Sequence, residues 1–179
     1  MSTRLVILGL LREQPLHGYE IKQIIEEHMG DWTSIAFGSI YFALGKLSEE
    51  GMIAMVATEK AGNRPSRSIY QVTEAGRAEF MRLLREVWSE PERQYFTIDV
   101  ALAFMNALPA QEVKGYLQKR LAQLEEAQHY LAGHQQEQMS QPNVPASAVA
   151  IFEHARAHAG AELAWTKELL EKMERGELK

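Results

Sequence analysis

Between residues 60 and 67 the chain carries Lys60, Arg64 and Arg67 with no acid among them. A short basic stretch free of carboxylates can neutralise phosphates or enter a minor groove. The plainer alternative is a solvated basic turn, and for Arg67 a brace to an acid such as Glu50. Upstream, Tyr41 falls on the polar side of an amphipathic segment, with Ser34, Ser39 and Lys46 beside it. A tyrosine there offers a hydroxyl to a phosphate and a ring edge to a thymine methyl group, or else it packs under the neighbouring loop. Tyr19, next to Gly18, opens another helical segment, where amino ends favour anions. Its alternative is a place in the core.

Other chemistries find less support. His154 and His158 stand four residues apart, a spacing that can grip a metal. His134 and His129 fall at matching heights on the preceding segment, so a layer of four imidazoles is conceivable. No carboxylate repeats the pattern and surface histidines are common, so no metal is expected. The chain has no glycine-rich phosphate loop, nucleophile elbow or HExxH, which argues against an enzyme, and no cofactor is expected. With no cysteine, disulfides and thiolate sites are excluded, and a reducing cytoplasm is a suitable location. The apolar run at residues 5–11 falls short of the roughly 20 residues a bilayer needs and is followed by no signal-peptidase site, so no membrane is expected.

A net charge of −5 speaks at first sight against nucleic acid. Only the contacting surface must be positive, however, and the acids gather elsewhere: Glu125 and Glu126, then Glu168, Glu171, Glu174 and Glu177.

These residues need a frame to hold them. Ser2 or Thr3 can cap a first helix bearing Leu5, Leu8 and Leu11 that ends before Pro15. A second carries Tyr19, Ile21, Ile24 and Ile25, with Gly30 as its stop. A third, residues 37–50, sets Ile40, Leu44 and Leu47 on one face and ends at Gly51. Residues 52–58 and 68–72 read as strands flanking the basic turn. Thr73 caps a fourth helix with Phe80, Leu83, Leu84 and Val87 on its buried side. Three helices, a strand, a basic loop, a strand and a helix make a winged helix-turn-helix over residues 1–88. Its third helix fits a major groove about 12 Å wide.

Residues 89–93, with Pro91, read as a linker, and the rest, residues 96–179, as helical throughout. A fifth helix spans residues 96–107, before Pro109. A sixth shows Leu117, Leu121, Leu124 and Leu131 near a 3.5-residue repeat, and a seventh carries Phe152, Leu163 and Leu170. A turn at residues 140–145 folds the last two into an antiparallel hairpin. Such a hairpin cannot bury all its apolar positions alone. The seven residues just named are therefore expected to dimerise, and a homodimer doubles the contacts on a palindrome. The fold class expected is mainly α: a winged helix-turn-helix with a small β-hairpin, then an all-α dimerisation region.

Ile7-Leu8-Gly9-Leu10-Leu11, Pro15-Leu16-His17-Gly18-Tyr19-Glu20-Ile21, Ser39-Ile40-Tyr41 with Leu44, Leu47, Gly51 and Ile53, then Arg67, Tyr70 and Thr73-Glu74-Ala75-Gly76-Arg77 together resemble the PadR family of transcriptional regulators. The family often has proline after the matching tyrosine, where this chain has Phe42-Ala43. The resemblance implies a repressor of double-stranded DNA and puts Tyr41 at the DNA surface. Relatives that respond to phenolic acids and cationic drugs imply a small aromatic or cationic effector. Trp88, Tyr95, Phe96, Met105 and Trp165 could line its pocket, or simply be core. A protein-interaction module that uses the winged fold without DNA is the alternative.

Overall fold

A computed structural model describes residues 3–30, 32–59, 66–91, 93–140 and 144–178. The chain divides into two compact units, Met1–Arg93 and Gln94–Lys179.

In the first unit the elements run α1 (Thr3–Glu13), β1 (Leu16–His17), α2 (Gly18–His28), α3 (Phe37–Glu49), β2 (Ile53–Glu59), β3 (Arg67–Val72) and α4 (Glu74–Ser89). One core cluster joins Ile7, Leu8 and Leu11 of α1, Ile21 and Ile25 of α2, Ile40, Ala43, Leu44 and Leu47 of α3, and Leu16, Ile53 and Val72 of the strands. These are the helical stripes expected from spacing, closed against one another. Gly51, at φ 71°, ends α3. The amide of Met52 reaches the Leu47 carbonyl at 2.8 Å and that of Gly51 reaches Ser48 at 3.1 Å, a left-handed cap suited to glycine. Thr73 caps α4 by accepting from the Gly76 amide at 3.1 Å, and its hydroxyl donates to Gly51 O at 2.8 Å. Gly76 lies so near the start of β2 that a Cβ there would stand 2.0 Å from the Met52 carbonyl oxygen.

The winged helix is present, with three differences from expectation. The sheet has three strands in the order β1-β3-β2, because Leu16 and His17 pair antiparallel with Tyr70 and Ile69. Two residues are too few to show strand periodicity. The pairing of β2 with β3 slips between Met55 and Ala57, leaving Val56 as the extra residue of a bulge. Val87, expected on the buried side of α4, is exposed, since the last turns of α4 outrun the core. The loop tip at residues 60–65, with Lys60 and Arg64, lies outside the described residues, as do Ser2, Glu92 and residues 141–143.

The second unit contains α5 (Thr97–Ala103), a 3-10 turn (Met105–Ala107), α6 (Ala110–Met139) and α7 (Ala146–Glu174). The single fifth helix expected to reach residue 107 stops at Ala103, because Phe104 leaves helical geometry at φ −114°, ψ 15°. Lys114–Glu174 at 2.9 Å, Arg120–Glu162 at 2.6 Å and Lys167–Glu125 at 3.1 Å fix α6 and α7 as an antiparallel hairpin. Leu117, Thr166 and Leu169 are buried in its seam. Leu121, Leu124, Leu131, Phe152, Leu163 and Leu170 are half-buried within one chain. Among the described residues no helix is long and apolar enough to cross a membrane.

Candidate nucleic-acid interface

Tyr19, Tyr41 and Arg67 come from three different elements and meet around one cleft. It lies between the amino end of α2, the outer side of α3 and the start of β3, encloses about 560 Å³, and is lined also by His17, Gly18, Leu44, Gly45, Ser66, Ser68 and Tyr70. Its assembly begins with His17, which is buried. Nδ1 of His17 accepts from the Glu20 amide at 3.0 Å, while Glu20 Oε2 accepts from the His17 amide at 2.8 Å. This reciprocal capping box fixes the first turn of α2 and turns Tyr19 outward, 42% exposed.

Tyr41 leans on that turn. A Cβ on Gly18 would stand 2.8 Å from the Tyr41 ring, so only glycine allows the approach. The ring meets Phe37 edge-to-face at 4.8 Å and remains 47% exposed. Arg67 lies over the Tyr19 ring at 5.3 Å, and its Nη1 is 3.2 Å from His17 Nε2. Lys22 approaches Tyr19 at 5.9 Å and Phe37 at 5.4 Å, which adds a second cation held against aromatic faces. Lys22 stands three residues beyond Tyr19, a helical spacing that marks the two as neighbours; the sequence reading omitted it.

The alternative reading of Arg67, a brace to Glu50, does not form: Glu50 is taken by Arg4 at 2.6 Å, and Arg67 lies against His17 and Tyr19. Ser39 and Lys46 are exposed on α3, and Ser34 is exposed ahead of it. Lys46 bonds Glu49 at 2.8 Å. That hydrogen bond and the charge behind it hold the ammonium above the ordinary lysine range. Lys60 and Arg64 are the two site residues outside the description.

In the second unit an apolar cleft of about 330 Å³ lies between α5, the 3-10 turn and the hairpin, lined by residues including Ile98, Leu102, Phe104, Met105, Tyr116, Leu117, Leu169 and Met173. Of the five residues named for an effector, Met105 lines it. Phe96 precedes α5, Trp165 is half-buried on α7, and Trp88 and Tyr95 are largely exposed. The four-histidine layer does not form. His154 and His158 meet each other, Nε2 to Nε2 at 3.2 Å, whereas His134 packs against Phe152 and Tyr130. Among the described residues no three His, Cys, Asp or Glu side chains gather as a metal site.

A three-helix core, a β-wing and a solvent-facing third helix define a winged helix-turn-helix protein. The sequence matches the Transcriptional regulator PadR-like family over residues 7–82. It is 33% identical over 126 residues to the "Negative transcriptional regulator PadR" of Bacillus subtilis, covering 68% of this chain and 69% of that protein. The fold is similar to Bacillus subtilis PadR solved in complex with operator DNA, with TM-score 0.77, 25% identity and coverage of 94% and 96% of the two chains. It is also similar to the same protein solved with p-coumaric acid, with TM-score 0.78, 23% identity and coverage of 96% and 98%. The chain belongs to the PadR-like family of transcriptional regulators.

Proposed function

We propose that this protein is a sequence-specific DNA-binding repressor, not an enzyme, acting in the cytoplasm as a homodimer on a palindromic operator. The observation that carries the reading is the convergence of Tyr19, Tyr41 and Arg67 on one cleft beside the outward side of α3. Two hydroxyls, a guanidinium and nearby Lys22 offer donors to a phosphate run while α3 enters the major groove. The Bacillus subtilis relative, a negative regulator solved on operator DNA, supports the same reading. Ser39 and Lys46, exposed on α3, and Ser34 ahead of it add polar groups to the same contact, and Lys60 and Arg64 are proposed as further phosphate contacts from their charge alone.

Release by a small aromatic effector completes the proposal. The apolar cleft containing Met105 and Tyr116 has the wall chemistry such a molecule needs. Selection of bound sequences from random duplex DNA tests the central claim. A palindromic consensus is expected, with half-sites about 10 base pairs apart or a multiple of that, and affinity that falls steeply with salt. Recovery of no consensus, or a flat salt response, overturns it in favour of a protein-interaction module.

A further inference from the structure

The outermost line of α3 is almost bare of side chains except for one ring. Buried Ile40, Ala43, Leu44 and Leu47 define the inward stripe of the helix. At about 100° per residue, the opposite line runs Gly38, Phe42, Gly45 and Glu49. Phe42 on this line is 71% exposed. A Cβ added to Gly38 or Gly45 would meet nothing within 4 Å, and neither is among the glycines with positive φ. Neither crowding nor backbone conformation among the described residues therefore calls for glycine. Inside a helix, where Gly45 lies, glycine is less favourable than alanine. Its use at the surface is to let another molecule come close to the backbone. The first turn of α3 holds no acid, and Glu49, at the far end, is partnered by Lys46.

We propose that Gly38, Phe42 and Gly45 form an insertion ridge that lets α3 sink deep into the major groove and lays the Phe42 ring against a thymine methyl group. This rests on the DNA-binding reading and adds to it a specificity-determining residue. A phenyl ring has no donor or acceptor, so it cannot read a hydrogen-bonding edge. The apolar feature of the major groove is the thymine 5-methyl group. Phe42 therefore selects thymine over cytosine at one position of each half-site.

The test uses the full chain and the consensus duplex recovered by selection, with thymines replaced singly by deoxyuridine, which removes only the methyl group. Wild type is expected to lose roughly 5–10-fold in affinity at one thymine per half-site. F42A should bind the parent duplex that much more weakly and be indifferent to the same replacement. G45A should melt a few degrees higher, as alanine favours the helix, yet lose about tenfold in specific affinity while binding unrelated duplex as before. The ridge is overturned if wild type ignores every replacement, if F42A still feels the methyl group, or if G45A binds the consensus as tightly as wild type. Failure to recover any consensus would instead remove the DNA-binding reading, and the ridge with it.

Discussion

Nε2 of His17 lies 3.2 Å from Nη1 of Arg67, while Nδ1 of the same ring lies 3.0 Å from the Glu20 amide nitrogen. Both neighbours are donors, and a neutral imidazole has one acceptor nitrogen. The ring can serve the helix cap or the guanidinium, but not both at once. When the cap takes the lone pair, Arg67 keeps its place by lying over Tyr19 at 5.3 Å. Among the described residues its N–H groups are then open to a further acceptor, and a phosphate is one that fits.

Substitution at His17 separates these roles. H17A removes the side-chain cap and leaves a void at a buried position, so it should destabilise the first unit by about 2 kcal/mol. H17N restores a capping oxygen and should recover about half of that loss. Urea denaturation of the two variants measures the difference. Equal stabilities would show that the cap contributes nothing.

Arg67 itself should matter to DNA and little to the fold. R67A is expected to change unfolding free energy by no more than about 0.5 kcal/mol, as for other partly exposed polar contacts. It should weaken operator binding and reduce the slope of log K against log salt by about 1. R67K keeps the charge but loses the planar stacking on Tyr19, so its affinity should fall between the two. An unchanged salt slope in R67A would remove Arg67 from the phosphate contacts.

Much of this frame was legible in the sequence because it rests on local periodicity and punctuation. Ile40, Leu44 and Leu47 mark the buried face of α3, Gly51 its end and Thr73 the start of α4. The cap of α2 was missed because histidine is not among the usual capping residues. Glu20, three residues on, carried the remaining half of the signal. The fifth helix ran too long because residues 96–107 are apolar at nearly every spacing, which leaves no stop to read. Tyr19, Tyr41 and Arg67 could each be picked out by type, but their meeting depends on β1 pairing with β3, a long-range contact with no local signature. The same absence of three-dimensional information left a brace from Arg67 to Glu50 open as an alternative, although the distant Arg4 engages Glu50.

An acidic relay ties α1 to α3 and α4, and its pH dependence follows from Glu79. Arg4 contacts Glu50 at 2.6 Å and Glu79 at 3.6 Å, and Glu79 accepts from Arg82 at 2.7 Å. The Arg82 hydrogen bond, aided by the charges of Arg82 and Arg4 and opposed by burial, holds the Glu79 carboxyl below its usual range. A depressed carboxyl adds stability above its unfolded pKa, and that stability disappears as pH falls through the folded value. E79Q should therefore cost about 1 kcal/mol at neutral pH, with the gap from wild type closing below about pH 4. A gap constant from pH 7 to pH 3 would show that packing, not charge, carries the effect.

The half-buried leucines of the hairpin and the exposed apolar groups near α5 make different claims on the dimer. Val100, Phe104, Leu108 and Tyr116 are all exposed, Phe104 at 71%, and the last three line the apolar cleft of the second unit. Contiguous apolar surface of this kind is uncommon on a monomer and marks a binding surface, whose occupant is either a second copy of the chain or the effector. Leu124 is already half-buried within one chain, so its truncation should act first on the fold. F104D is expected to shift sedimentation at micromolar concentration from dimer to monomer, with helix content unchanged. Operator affinity should drop at least about tenfold, because two linked reading heads become two independent ones. L124A should lower the melting temperature by several degrees, as truncation of a half-buried leucine does, and leave a dimer at the same concentration. If F104D sediments as wild type while L124A becomes a stable monomer, the interface lies along the leucine seam that the heptad spacing indicated, and the cleft beside Phe104 is free for an effector.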